Sequence, residues 1–395
     1  MAMADPVETR NLSSRQARNG AGVVFLISLV AGAVSIVWYI ATGQMSQAAS
    51  HWTRAQLAQG ELARSLAEEL AHAPLPVALA DAERAASWLS VGSLGPRVRQ
   101  GCGQWLFLAD ELVVHPDAAR SAQARLNTVV KVRDRLRRLG VELVIATVPD
   151  KSRVQHAQLC NTYRPVSFQT RLSAWEAGLA ERGVRHASLL PALEALKQAE
   201  GLTPFLKSDT HWSEAGAQAA AQTVAATVSQ IGVALTPHQR YVLKRGETQT
   251  REGDLVRLAG LDWLPIALQP PPDSVSPTHF RTADALVEAS SSGRNDAADD
   301  LFGDTNLPSV ALIGSSYSRT SSFAQFLEAA LETPVPNLAQ DGGDFWRAAK
   351  AYLEAAELRD APPRVVIWEI PERVLQMPFA QEEKAWMEGL ENGAS

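Results

Sequence analysis

A carboxylate stands two residues before an imidazole at Asp209-Thr210-His211-Trp212, and much later the apolar run 309–313 breaks into Gly314-Ser315-Ser316-Tyr317-Ser318. A serine hydroxyl is a poor nucleophile until an imidazole takes its proton, and the imidazole works best when a carboxylate fixes its tautomer and stabilises its cation. Asp209 and His211 supply the second pair locally. In an extended stretch residues two apart face the same side, so Asp209 is placed to reach Nδ1 of His211 while Nε2 points to Ser316. A strand-to-turn-to-helix passage around Ser316 would expose its hydroxyl and aim backbone N–H groups, its own included, at a developing oxyanion. Ser318 stands where a Gly-x-Ser-x-Gly elbow would have its last glycine, which argues against an α/β-hydrolase. No metal is expected, because eight histidines without HxxxH or HxH pairing give Asp209 and His211 no obvious further ligands.

These groups need a scaffold, and the flanking pattern supplies one. Residues 117–139 read as an amphipathic helix stopped by Gly140, 141–148 as an apolar strand, 167–182 as a helix stopped by Gly183, and VRHASLL as the next strand. Ser213 is placed to cap an Ala-rich helix over 214–231. Order then resumes with a strand at 309–313, helices at 322–331 and 345–358, and a last strand at 364–370. Strands alternating with helices predict an α/β fold, a doubly wound, mostly parallel sheet whose functional groups gather at the carboxyl ends of the strands. Asp150 and Lys151 fall at one such end. Residues 269–304, with Pro270-Pro271-Pro272 and a Ser/Asp-rich stretch, read as a mobile, solvated insertion, and residues 377–395 as a polar tail.

The remaining composition narrows the class. Of 395 residues 46% are hydrophobic, enough for a sizeable core, and the net charge of -6 argues against a nucleic-acid binder. Residues 21–41 carry no charge, and about 20 helical residues span a bilayer. Arg10, Arg15 and Arg18 precede the run while Trp38 and Tyr39 close it, which predicts a single-pass anchor with residues 1–20 cytoplasmic and the body exported. A cleaved signal peptide would have a shorter apolar core. Residues 42–100 read as a juxtamembrane lead-in, with a helix over 51–73, a Pro-punctuated turn from Pro74 and a short helix at 81–89. Cys102 and Cys160 could form one bridge or remain two buried thiols.

FLKSDTHWS at 205–213, GQWLFL at 103–108, VPDKSR at 148–153, IGSSYS at 313–318 and VVIWEIPER at 365–373 resemble, in order, the motifs of the SGNH-hydrolase-like alginate O-acetyltransferases of the AlgJ and AlgX type. The resemblance covers about residues 101–373, and the anchor before it is similar to AlgJ. It implies an SGNH-like domain over 101–376 and an enzyme that moves acetyl groups onto an exported polysaccharide, alginate or another. Ser316 would be its nucleophile, His211 its base and acid, and Asp209 the orienting carboxylate. It further implies no cofactor, an inner-membrane location with a periplasmic domain, and a multipass membrane O-acyltransferase as donor partner. Trp212, Tyr317 and Arg373 are the expected acceptor-binding side chains, and the N–H groups of Ser316, Gly342 and Gly343 the expected oxyanion donors. A deacetylating esterase and a silent polysaccharide-binding subunit are the competing readings.

Overall fold

In the computed structural model, which describes residues 6–43, 60–199, 201–283 and 307–391, the chain divides into two units, residues 1–93 and 94–395. The first unit is helical. Helix α1 (Pro6–Ala41) contains the whole uncharged run. Phe25, Leu26, Ile27 and Leu29, neighbours that point around the helix, are all more than half exposed. Among the described residues no helix is long and apolar enough to cross a membrane. The unbroken stretch of described side chains in α1, residues 25–41, is shorter than the roughly 20 residues a span needs, so the expected anchor at 21–41 lies partly outside them. Helix α2 (Glu61–Leu70) matches the end of the helix expected over 51–73, whose residues 51–59 fall outside the described residues. Helix α3 (Pro74–Val91) corrects the expected turn: Pro74 occupies the first helical turn, where its missing N–H costs nothing, and the helix runs on to a left-handed Gly92.

The second unit opens with the antiparallel pair β1 (Val98–Gln100) and β2 (Leu106–Leu108). Cys102, in the turn between them, is bonded to Cys160 with a Cα separation of 5.7 Å. There follow α4 (Ala118–Arg138), β3 (Glu142–Val148), α5 (Lys151–Val154), α6 (Arg171–Glu181), β4 (Arg185–Ser188), α7 (Leu190–Leu196) and α8 (Glu214–Ser229). A group of short elements comes next: β5 (Tyr241–Arg245), β6 (Gln249–Arg251), α9 (Asp254–Leu258), β7 (Asp273–Val275) and β8 (Thr278–Thr282). The chain closes with β9 (Val310–Ile313), α10 (Phe323–Leu331), α11 (Arg347–Glu354), α12 (Ala356–Asp360), β10 (Val365–Pro371) and α13 (Gln381–Glu391).

The main sheet has the order β4-β3-β10-β9 and every pair in it is parallel. Strands β3, β9 and β10 are apolar at almost every position because both faces are covered, whereas the edge strand β4 is mostly polar and exposed. Val144, Ala146, Val310, Leu312, Val365 and Ile367 face one core with α7, α8 and α10, and Leu143, Ile145, Ala311, Ile313, Val366 and Trp368 face the other with α4, α6, α11 and α13. The carboxyl ends of β3, β9 and β10 therefore deliver Asp150, Ser316 and Glu372 to one edge of the sheet.

Two stretches expected to be polar, one of them also mobile, take part in structure. The tail forms α13, because Trp386 enters the core and Glu383 makes a two-pronged ion pair with buried Arg125 at 2.8 and 2.9 Å. Residues 269–283, the start of the expected insertion, include β7 and β8, which pair with β6 and β5. Residues 284–306 lie outside the described residues.

Candidate active site

Residues 205–212 form a tight turn rather than the extended stretch expected. An antiparallel bridge pairs Phe205 with Trp212, and the N–H of Leu206 donates to the carbonyl of His211 at 3.2 Å. Ser213 Oγ accepts from the N–H of Gly216 at 3.1 Å and starts α8. Gly216 packs so tightly that a Cβ there would meet the Pro204 carbonyl oxygen at 2.0 Å, so only glycine fits. Buried and half-buried side chains then tie down the polar backbone of the turn. Lys151 Nζ donates to the carbonyls of Lys207 and Asp209 at 2.9 and 2.8 Å. Asp273 accepts from the N–H groups of Lys207 and Ser208 at 2.7 and 2.8 Å, Asp254 from that of Thr210 at 2.6 Å, and the Tyr317 hydroxyl donates to the Thr210 carbonyl at 3.0 Å.

Within this frame Asp209 Oδ1 accepts from both the backbone N–H of His211 at 2.9 Å and its Nδ1 at 2.7 Å. The pair is made by side-chain closure of a turn. His211 Nε2 lies 2.8 Å from Ser316 Oγ. The other oxygen of Asp209 accepts from Arg251 Nη2 at 3.1 Å. Burial works against ionisation of Asp209, but the hydrogen bonds and charge of His211, joined by the Arg251 guanidinium, outweigh it and hold the carboxyl well below the usual range. It is a permanent anion behind the imidazole. Asp254 differs: burial, then the neighbouring Asp209 charge, push its carboxyl up.

Ser316 opens a single 3-10 turn, Ser316–Arg319, directly after β9, so its N–H has no partner inside that turn. Buried Glu369 of β10 organises the approach: it accepts from Ser315 N at 2.7 Å, from Ser315 Oγ at 2.9 Å and from Ser318 Oγ at 3.0 Å. This explains the departure from the glycine elbow, since Ser318 uses its hydroxyl to fasten the turn. Gly314 is required by the close approach, because a Cβ there would lie 2.6 Å from Glu369 Oε2.

Ser316, His211 and Asp209 open into a cavity of about 520 Å³ whose walls include Arg251, Glu252, Asp254, Arg257, Asp262, Thr320, Asp341 and Gly342. The expected acceptor-binding side chains are not among them. Trp212 is fully buried, stacked on Phe323 with ring centroids 4.7 Å apart. Its place beside the base in sequence misled, because its ring packs into the core between Tyr317 and Phe323. Tyr317 is buried too, edge-on to His211 at 4.9 Å, and the Arg373 guanidinium lies 5.5 Å from the Tyr317 ring centroid. Tyr317 packs against the imidazole, and Arg373 packs on Tyr317. Gly342 lines the cavity, but the Gly343 N–H donates to the Gln340 carbonyl at 3.0 Å and is not free for an oxyanion.

Asp209, His211 and Asp254 place ligand-type atoms within 4.8 Å of one another. Tetrahedral ligands held about 2.1 Å from one ion would stand about 3.4 Å apart, whereas Asp209 Oδ1 and His211 Nδ1 are at the hydrogen-bonding distance of 2.7 Å. The pair is built to share a proton.

Arg251, Asp254, Asp273 and Glu369 escape sequence reasoning. One signal was present: Glu369 is a lone carboxylate in the strand VVIWEIP, and a doubly covered strand tolerates such a group only with dedicated partners.

The model of one family, described as SGNH hydrolase-like domain, acetyltransferase AlgX, matches residues 98–372. The probable alginate O-acetylase AlgJ of Pseudomonas putida is 34% identical over 302 residues, 75% of each chain. That of Azotobacter vinelandii is 33% identical, over 72% of this chain and 71% of its own. Among solved structures, the O-acetyltransferase domain of Pseudomonas putida AlgJ superposes with a TM-score of 0.63 at 30% identity, covering 75% of this chain and 99% of that one. Pseudomonas aeruginosa AlgX shares the fold, with a TM-score of 0.52 at 24% identity over 75% of this chain and 68% of its own.

Proposed function

The chain belongs to the AlgX family of SGNH hydrolase-like acetyltransferase domains, and from that premise we propose that it transfers acetyl groups to an exported polysaccharide of the alginate type through an acetyl-serine intermediate. The observation that carries the reading is the unbroken line of hydrogen bonds from Asp209 through His211 to Ser316, 2.7 and 2.8 Å long and open to a cavity at its serine end.

His211 Nε2 takes the proton of Ser316 Oγ as the oxygen attacks the acetyl carbonyl of the donor, and Asp209 stabilises the resulting imidazolium. The N–H groups of Ser316 and Gly342, residues that both line the cavity, are the proposed oxyanion donors. Collapse expels the donor's leaving group, which receives the proton from His211 and leaves acetyl-Ser316. A sugar hydroxyl then gives its proton to His211 and attacks the acetyl carbonyl; the acetyl group passes to the sugar and the proton returns to Ser316. Water must be kept from that second attack, and an oriented sugar hydroxyl competes through an effective molarity of about 10⁵ M or more. A multipass membrane O-acyltransferase is the proposed acetyl source. The uncharged run at 21–41, in which Phe25, Leu26, Ile27, Leu29, Val34 and Val37 are more than half exposed, is the proposed anchor in the inner membrane, with residues 94–395 in the periplasm.

The test is mass spectrometry of a polyuronate oligosaccharide incubated with the protein and a soluble acetyl ester. Added acetyl groups, absent with Ser316→Ala, are expected. If a broad acceptor panel gains none while preacetylated polymer loses its own, an esterase replaces the transferase.

A further inference from the structure

A second cavity, of about 730 Å³, is lined by Leu206, Lys207 and Ser213, at the two ends of the turn that carries Asp209 and His211. Its walls include Lys197, Lys207, Arg245, Glu214 and Asp273. The two cavities flank one ribbon: Arg251 of β6 lines the first, and Asp273, its partner in the register, lines the second.

Their charges are used in opposite ways. In the cavity over Ser316 Arg251 is engaged with Asp209 and Asp341 with Arg319, while Glu252, Asp262 and Arg257 are exposed, two acids to one cation. In the second cavity the acids are the occupied groups. Both oxygens of Asp273 accept from the turn, and Glu214 accepts from the N–H of Thr278 at 3.2 Å and from Ser322 Oγ at 3.1 Å. The Lys207 amine and the Arg245 guanidinium have no partner among the described residues, and Lys197 makes one bond, 2.6 Å to the Val154 carbonyl. Free cations beside saturated carboxylates make a site for an oxyanion.

Resting on the proposed function, we propose that this cavity is a second acceptor subsite, where Lys197, Lys207 and Arg245 bind carboxylates of an acidic polysaccharide while another of its sugars meets Ser316. The cavity over the serine offers an acidic polymer one exposed cation, Arg257, against the exposed acids Glu252 and Asp262, so most of the polymer's charge has to be met elsewhere. The cavity at the ends of the same turn is where the cations stand.

The experiment titrates the full chain with a hexauronate, a neutral hexasaccharide and inorganic phosphate at low and high salt, without turnover. Hexauronate is expected to bind more tightly than the other two, and more weakly at high salt. Arg245→Glu and Lys207→Gln are each expected to weaken it by about tenfold, the scale of one charge-assisted contact. Unchanged hexauronate affinity in both variants, binding of the neutral hexasaccharide as tight as that of hexauronate, or phosphate competing at equal affinity would overturn the subsite. Turnover of a small acetyl ester by the wild type, lost in Ser316→Ala, is followed separately. Its absence would count against the reaction while leaving the binding result to judge the subsite.

Discussion

Two buried ionic networks sit at the carboxyl ends of neighbouring strands, and only one of them is built to react. Behind Val148 and Pro371, Asp150 and Glu372 meet Arg153, Arg164 and Arg171: Arg153 Nε donates to Glu372 at 2.8 Å, Arg171 Nε at 3.0 Å, and Arg171 also bonds Asp150. Its carboxyls are pushed apart. Burial, then the Glu372 charge, raise Asp150 to about 8 despite Arg171, while burial of Glu372 is outweighed by its arginine bonds, which hold it low. Such a split would suit an acid and a base. Yet both carboxylates are sealed among guanidinium groups, and neither lines the cavity over Ser316. The Asp209 network ends differently, in an imidazole with one nitrogen on a half-buried serine. Perturbed ionisation marks both regions, and access to a reacting atom separates them.

Removing one group from each region should therefore fail in different ways. Ser316→Ala and His211→Ala are each expected to lower acetyl-ester turnover on the order of a thousandfold or more, because members of such a unit act together, with the thermal midpoint little changed. Glu372→Ala should do the reverse. It strands buried arginines, a loss of about 3–5 kcal/mol, so the midpoint should fall by about 10 °C while turnover per folded molecule persists. Near-normal turnover in Ser316→Ala would end the comparison, and so would an inactive but fully stable Glu372→Ala.

Trp212→Ala sharpens the same contrast. Trp212 touches the site in sequence but the core in space, so the expected outcome is a stability loss of about 3–5 kcal/mol. Transfer and hydrolysis should then fall together in proportion to the unfolded fraction. A selective loss of transfer would put the ring back among the sugar-binding groups.

Glu369 is the intermediate case, a buried carboxylate that touches no reacting atom but sets the turn that carries one. Burial pushes its carboxyl up even though Ser315 and Ser318 bond to it. Glu369→Ala is expected to lower kcat by about a hundredfold with little change in KM, the scale of a misplaced oxyanion donor. Glu369→Gln, which keeps an acceptor, should recover part of it. Equal loss in both, tracking unfolding, would make the role structural only.

What could be read from the chain follows the range of the interactions. The parallel sheet was legible because apolar runs such as 141–148 and 364–370 alternate with helical periods, and the Asp209–His211–Ser316 grouping because each residue type has a narrow chemical use. Side-chain direction was not legible. Trp212 and Tyr317 belong to the core because the turn at 205–212 is closed by Lys151, Asp254 and Asp273, each distant in sequence from it. The polar look of the tail likewise hid Glu383, whose partner Arg125 is 258 residues away.

Lys151 joins the two regions, following Asp150 in the chain and holding the carbonyl of Asp209, and it carries the smallest expected effect. Its ammonium is fully buried, 5.2 Å from the Trp105 ring centroid and 5.4 Å from that of Phe107. Burial lowers it to about 8 from 10.5, against the opposing pull of Glu111 and Asp273. Between those two values the unfolded chain holds a proton that the folded one has released, so stability must rise with pH across that window. The gain is complete above the unfolded value and lost as pH falls through about 8. Urea unfolding at pH 7.5 and 9.5 should show the wild type gaining on the order of 1 kcal/mol relative to Lys151→Met, which has no such proton. An equal pH response in the two proteins would mean that the lysine keeps its proton through the window, held by the two carbonyls rather than dismissed by burial.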